Sequence, residues 1–408
     1  MNKLKKNQKI LFIITDLIIL FLPVFFIIGA PATNFATLIL SLCFLYYCSK
    51  NNQWNLFKDK WVIFFLLFWI YNILNSLFAD DVLNALRASF FYIRFLLFSL
   101  AIIYIGLNFI KIKKILFFWT IILIFVAIDI NYQYKFGADL FGYYSYLYLP
   151  RLSGPFGDEL VAGAYLSRFL PFLLIFILFF KNNLKLEIFL FLLSIYYLFI
   201  VMLTGERSAL IFSLSYSTLF IFYIFRKDFK KILLLCLAIL ILLIVSVQNT
   251  NINKRYSDLL KIVSDFEKSS YGKLYYSGYR IWKNHKINGV GLKNFRVNCD
   301  EELVDLINSS HPLCSSHPHN LYLELLSETG IIGTTLFLLI FYYIFKQIYL
   351  DKIKKRKFTN FQAANLFAII LIIWPIITSG SFYTSWGGLF LWIYIGFLFN
   401  DKIKQNSL

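Results

Sequence analysis

Charged residues are scarce in this chain. Asp, Glu, Lys and Arg make up 15% of its 408 residues, against 59% for the hydrophobic ones. The apolar residues come in uninterrupted blocks, which excludes an ordinary soluble globule. Histidine is rare too: His285, His311, His317 and His319 are the full set of four, all in or at the end of one polar segment. No internal repeat is found, which argues against a transporter built from paired halves. No small-residue cleavage site follows the first apolar block, so a cleavable signal peptide is not expected. A carboxylate pair placed for acid–base work is also missing. Asp158, Glu159, Glu206, Glu324 and Glu328 remain as groups able to orient a histidine, with Glu324 and Glu328 read as the polar side of a helix.

A membrane-spanning helix needs about 20 largely apolar residues. Roughly twelve such blocks occur, the first centred near Leu20 and the last near Tyr394. The fold class expected is therefore all-α: a polytopic membrane protein with about 12 transmembrane helices. The net charge of +18 would suit nucleic acid, but its distribution points to a membrane. Every second connection is basic, from Lys3, Lys5, Lys6 and Lys9 at the start to Lys402 and Lys404 at the end, and these segments hold 24 of the 40 Lys and Arg residues. The positive-inside rule then places both termini in the cytoplasm. Membrane lipids are expected neighbours, and no nucleic acid.

This topology divides the chain into three parts. Residues 1–247 carry transmembrane helices 1–9, with a small outer loop at 134–159. Residues 248–318 form an outer cap, and 319–408 carry a motif helix and transmembrane helices 10–12. Within the cap, Tyr256, Leu259, Leu260, Val263 and Phe266 recur at helical spacing, predicting an amphipathic helix. Ser277 is read as the cap of a second helix running through Trp282 to Lys286, and Asn288-Gly289-Val290-Gly291 as a turn. Two such helices suggest an interfacial lid. Cys299 and Cys314 share the cap, where an oxidising compartment permits a disulfide. A metal site at His311, His317 and His319 is the other reading, but His-Pro-His spacing is poor zinc geometry, and no metal is expected.

Two clusters carry chemistry. His319-Asn320 is followed, after nine residues, by Gly330-Ile331-Ile332-Gly333. The step from His319 to Gly330 is close to three helical turns at ~3.6 residues each, so one helix face is expected to carry His319, Leu323, Leu326, Gly330 and Gly333. The plainer reading is a histidine at a helix start and a glycine at a close-packing spot. Thr204-Gly205-Glu206-Arg207-Ser208 is a tight outer turn between two apolar blocks. Its Arg207 either pairs with Glu206 or faces an anion, with Arg280 of the cap as a second clamp. Guanidinium groups match phosphate oxygens with paired donors. Arg94, Arg168, Asp16 and Asp129 lie in or near apolar segments, where charge is costly and marks paired or functional groups. Asp129 and Arg168 fall near the outer side, within reach of such a site.

These residues together resemble the O-antigen ligase and related Wzy-type polysaccharide enzymes of bacterial inner membranes. The His319-Asn320-x9-Gly330-x-x-Gly333 pattern is similar to the ligase signature, and the turn around Arg207 to the family's arginine turn. Arg280-Ile281-Trp282 through Gly289-Val290-Gly291 to Phe295 is similar to its Arg-x-x-Trp…Gly-x-Gly…Phe block, and Arg151-Leu152-Ser153-Gly154-Pro155-Phe156 to an earlier loop. The resemblance spans roughly residues 125 to 335. It implies a GT-C type fold with a periplasmic cap and site, and transfer of a polysaccharide from undecaprenyl pyrophosphate to lipid A-core. No metal or other cofactor is implied. His319 would be the general base, with Arg207 and Arg280 on the pyrophosphate and Arg151, Asn320 and Glu206 beside the substrate. Polymerases and protein oligosaccharyltransferases share parts of the pattern and stand as alternatives; a lipid or glycan transporter is the alternative of another class. Glu206 stands where many relatives have a small residue, and His317 leaves open which ring acts.

Overall fold

The computed structural model describes residues 2–144, 151–180, 182–248, 253, 257–258, 262, 264–302, 313–353, 358–375 and 380–402. Among them the structure is helical, without a named strand. Ten helices precede the cap: α1 (Asn2–Ile28), α2 (Ala30–Asn51), α3 (Lys60–Ser76), α4 (Val82–Phe91), α5 (Ile93–Ile105), α6 (Ile112–Phe136), α7 (Ala162–Ile177), α8 (Leu184–Leu203), α9 (Arg207–Ile224) and α10 (Phe229–Gln248). The cap holds α11 (Ser270–Asn284) and α12 (Phe295–Glu302), and α13 (Leu321–Ile353), α14 (Asn360–Ile372) and α15 (Ser385–Phe399) follow. Among the described residues, eight helical stretches are long and apolar enough to cross a membrane, and α3, α14 and α15 are shorter apolar helices. The protein is thus a multi-pass membrane protein by helix length and composition.

Local chemistry sets the helix ends. Asp81 accepts the Asn84 amide to begin α4, Asn183 the Leu186 amide to begin α8, and Thr359 with Gln362 forms a reciprocal capping box at α14. In the cap, Ser269 rather than Ser277 opens the helix, its hydroxyl accepting the Gly272 amide. Ser277 is interior, and its hydroxyl donates to the carbonyls of Lys273 and Leu313. The expected earlier amphipathic helix rests mainly on Tyr256, Leu259, Leu260 and Val263, which lie outside the described residues.

Helices α1, α2, α5, α6, α7 and α15 surround an aromatic interior in which Phe26 stacks on Phe390 at 4.3 Å and Trp119 meets Phe172 edge-on at 4.7 Å. Leu38, Leu42, Ile63 and Leu67 point outward and are exposed, as lipid-facing residues are. Intramembrane carboxylates take backbone partners, although Asp129 Oδ2 is buried without one among the described residues. Asp16 accepts the amides of Leu107, Phe109 and Ile110, and Asp129 accepts that of Leu140. Arg168 lies over the Phe212 ring, 4.3 Å from its centroid. Asp129 and Arg168 are thus only partly engaged within the bundle, since Arg168 Nη1 is also buried without a hydrogen-bond partner among the described residues.

The largest departure from expectation is in α13. It is not one continuous face: Gly330 has φ 61 and ψ −167, which breaks the helix. That region of backbone space is essentially reserved for glycine. The break opens backbone groups that the turn after α11 closes. Val290 and Gly291 donate to the carbonyls of Ser327 and Glu328 at 2.9 and 2.8 Å. Ile331 donates to Lys286 at 2.9 Å and Ile332 to Ile287 at 3.3 Å. From α3, Tyr71 Oη donates to the Thr329 carbonyl at 2.9 Å and Asn75 Nδ2 to that of Asn288 at 2.8 Å. The approach is so close that a Cβ on Gly330 would lie 2.1 Å from the Ile287 carbonyl oxygen.

The cap has its own small core of Ile281, Val290, Phe295 and Cys299. A disulfide joins Cys299 to Cys314, with Cα atoms 5.7 Å apart, as their shared compartment suggested. It ties α12 to the strand of chain that leads into His317.

Two outcomes test this account. Gly330→Ala forces a side chain into backbone and strains the dihedrals by about 1–3 kcal/mol. A lower melting temperature and faster trypsin cleavage after Lys286 are expected; unchanged values for both would show that the docking is incidental. Opening the Cys299–Cys314 link removes the constraint on a loop spanning 15 residues in sequence, a term of about 3 kcal/mol for such loops. Cys299→Ser with Cys314→Ser should therefore melt earlier, and reductant should reproduce the shift in the native chain while leaving the double variant unmoved.

Candidate functional site

Four segments meet at the end of the bundle under the cap. The first is the turn between α8 and α9, where Gly205 adopts φ 70 and Arg207 begins the new helix. Glu206 does not pair with Arg207. Its carboxylate reaches the start of α7, accepting the amides of Gly163 at 2.9 Å and Ala164 at 3.1 Å. A helix N-terminus is a favourable place for a carboxylate. Burial nonetheless pushes its titration upward, against the opposing pull of Arg151 and those two amides. Arg151, from the second segment, lies 3.6 Å from Glu206 and donates to the Leu160 carbonyl at 2.7 Å. Arg151 and Glu206 thus lock the outer loop to the arginine turn.

Arg207 meets the cap instead, its Nη2 lying 3.6 Å from Asp258. It also stands at one end of a cavity of about 1190 Å³. The walls of that cavity come from α9, α14 and the cap, and most are apolar: Ile211, Leu214, Leu219, Phe367 and Trp374 among them. Tyr271 and Tyr275 of α11 close its cap side.

The histidine segment lies against that side. His319 is not on α13, which begins at Leu321. It takes a left-handed backbone conformation, φ 54, which costs a side-chain-bearing residue about 1–2 kcal/mol. Neighbours hold it there. Asn320 caps the helix, its Oδ1 accepting the amides of Tyr322 and Leu323, while its Nδ2 donates to the Pro375 carbonyl at 2.7 Å. Asn320 therefore positions the loop with its own side-chain atoms engaged. The His319 ring stands perpendicular to Tyr271 at 6.3 Å between centroids, and 4.1 Å from the ring of His317. His317 is buried, with Nδ1 3.0 Å from Ser316 Oγ.

Arg207 lines the cavity, whereas neither His319 nor Arg280 is among its lining residues; His319 stands next to it only through its ring contact with Tyr271. Arg280 follows Tyr275 by five residues on α11, a turn of about 140° around a helix of 3.6 residues per turn. Its Nε is buried without a hydrogen-bond partner. Glu324 and Glu328 are also displaced from expectation. Both are buried rather than on a polar face. Glu324 accepts the Phe382 amide at 3.0 Å and Glu328 the Lys293 amide at 2.9 Å; they anchor loops. Asp158 and Glu159 are exposed. His311 lies outside the described residues.

Sequence reasoning missed the aromatic walls and a second cavity, of about 630 Å³, lined by Arg87, Arg94, Lys293 and Arg296. Arg87 and Arg94 are seven residues apart, a spacing of about two helical turns, and Lys293 and Arg296 are three apart; that periodicity was the available signal.

None of the curated proteins matches the chain. Residues 188–338 match the family model described as O-Antigen ligase. That match runs from α8 through the arginine turn, the cap and the break at Gly330; it includes α9 and the cap, two of the cavity's walls, but not α14. Over this segment the chain is similar to the O-antigen ligase family.

Proposed function

We propose that this protein is a glycosyltransferase that moves a polysaccharide from undecaprenyl pyrophosphate to a sugar hydroxyl of lipid A-core on the periplasmic face of the bacterial inner membrane. The observation that carries the reading is the cavity of about 1190 Å³, apolar along α9 and α14, with Arg207 in its wall and His319 packed against its Tyr271. Such walls suit a polyprenyl chain, and the charged end suits its diphosphate.

In this reading the acceptor hydroxyl attacks the anomeric carbon of the donor sugar. The bond from that carbon to the diphosphate oxygen breaks, and the diphosphate leaves with the electron pair. His319 takes the hydroxyl proton; imidazole titrates near neutrality, which suits a base at work there. Arg207 stabilises the charge that grows on the leaving group, a cation whose effect is largest where water is excluded. To receive diphosphate it exchanges its contact with Asp258. Arg280 is the second clamp, carried by the cap helix that also bears Tyr271 and Tyr275. The residues in hand require no metal or nucleotide for these steps. The cap side faces away from the basic connections, so the positive-inside rule assigns it to the periplasm. Polymerisation of the lipid-linked glycan is the competing reaction for the same groups.

Reconstitution of the purified chain with undecaprenyl-pyrophosphate glycan and lipid A-core tests both. Product on lipid A-core is expected; a lengthened lipid-linked glycan would make the protein a polymerase. His319→Ala should lower turnover by ~10²–10⁴-fold, the usual worth of acid–base help, while donor binding persists. Turnover lost only in His317→Ala would transfer the role to that ring. Arg207→Lys should fold yet fail, because an ammonium does not reproduce the paired contacts. Normal transfer by that variant would remove the clamp from the account.

A further inference from the structure

The second cavity is absent from the mechanism above. It lies between the start of α2, the α4–α5 pair and the cap, and four cations line it: Arg87, Arg94, Lys293 and Arg296. Among the described residues, no carboxylate belongs to its lining. Carboxylates do stand behind it. Glu328 accepts the amide of Lys293, Glu324 is close enough to be felt by the Lys293 ammonium, and Asp81 lies near Arg296. They are engaged elsewhere: Glu324 with the Phe382 amide, and Asp81 with Asn84. The Lys293 ammonium donates to Ser381 Oγ at 2.8 Å.

The arginines are less compensated. Arg94 donates to two neutral oxygens, the Phe91 carbonyl at 3.0 Å and Ser385 Oγ at 3.1 Å, and its Nε is buried with no partner. Arg87 and Arg296 are exposed and make no ion pair among the described residues. Cations gathered in a low-dielectric cleft focus their field and concentrate counter-ions there. Guanidinium groups favour phosphate and carboxylate, which accept two parallel hydrogen bonds.

Position adds the second half. Ser316 lines this cavity, and its hydroxyl contacts His317 Nδ1. His317 packs on His319, and His319 on Tyr271 of the apolar cavity. The histidine pair therefore separates two chambers of opposite character, one apolar with Arg207 in its wall and one basic. A transferase needs a seat for each substrate with the base between them.

We propose that the basic cavity is the acceptor seat and recognises an anionic sugar, one carrying phosphate or carboxylate close to the hydroxyl that is glycosylated. This rests on the transferase reading and adds to it the charge of the acceptor and the residues that select it. Arg87 and Arg296, at the open side, are the selecting contacts; Arg94 and Lys293 line the interior.

The test uses the full chain in phosphatidylcholine nanodiscs. Binding is measured for an alkyl glucoside phosphorylated on its sugar, the same glucoside without phosphate, inorganic phosphate, and added phosphatidylglycerol. The phosphorylated glucoside should bind at least about tenfold more tightly than the neutral one, a difference of ~1.4 kcal/mol. Inorganic phosphate should compete weakly and phosphatidylglycerol less. Arg87→Gln with Arg296→Gln should abolish the preference while leaving neutral-glucoside binding and the melting temperature in place; both side chains are exposed. Arg207→Gln should keep the preference. Equal binding of the two glucosides, or a preference that survives the double variant, would overturn the proposal. Competition by phosphatidylglycerol as strong as by the phosphorylated glucoside would make the cavity a phospholipid seat and overturn it too. Loss of the preference in Arg207→Gln would place the anion in the donor cavity. In the reconstituted reaction the double variant should raise the acceptor KM. Product formed at an unchanged KM counts against the acceptor seat alone, whereas no product from the native chain counts against the transferase reading.

Discussion

One backbone interruption organises the outer end of this molecule. Gly330 leaves the helical region in the middle of a long apolar helix, and the orphaned groups on either side bond to the backbone of Lys286–Gly291. Unsatisfied amides and carbonyls in an apolar setting cost several kcal/mol each, so break and turn require each other. Tyr71 and Asn75 of α3 add side-chain donors to the neighbouring carbonyls of Thr329 and Asn288. The cap is thereby stitched to the bundle by main-chain bonds, and a small side chain at 289 or 330 is already too much: a Cβ at Gly289 would lie 2.5 Å from backbone atoms of Glu328 and Thr329.

That joint governs the histidine. Helix α11, which leads into the clamped turn, lies directly against the His317–His319 segment, where a Cβ on Gly278 would touch Pro318 at 3.1 Å. The disulfide holds the other approach to the loop, and Asn320 fixes its exit. A left-handed His319 is sustained because three neighbouring structures define it at once. Pre-organisation of this kind is how a site keeps a reacting group aligned without paying for its ordering during each turnover. The same clamp sets the spacing between the apolar cavity and the basic one, since α11 lines the first and Lys293, just past the turn, lines the second.

How much of this the sequence reveals depends on the range of the interaction. Apolar blocks are legible because a spanning helix must be about 20 residues of one character, and the described residues hold eight such helices with three shorter apolar ones. The Arg207 turn and the Cys299–Cys314 pair are legible because compact turns and compartment chemistry are local. The break at Gly330 is not. An eleven-residue step from His319 fits an unbroken helix as well as a broken one, and only the distant Asn288–Gly291 turn decides between them. Glu206 illustrates the same limit: its sequence neighbour is Arg207, yet its partners are Arg151 and the start of α7. Glu324 and Glu328 look solvated along the chain because nothing nearby shows that loops from 293 and 382 descend onto them. The basic cavity joins residues from α4, α5 and the cap, and no window of sequence contains it.

The claim at the centre is that a polyprenyl diphosphate lies between α9 and α14 with its charged end at Arg207 and its glycosidic bond beside His319. A cryo-electron microscopy structure of the full chain with a polyprenyl-pyrophosphate sugar bound measures this directly. The account requires prenyl density along Ile211–Leu219, diphosphate oxygens within hydrogen-bond distance of Arg207, and the anomeric carbon on the His319 side. Lipid density elsewhere on the bundle, with Arg207 still turned to Asp258, would contradict it.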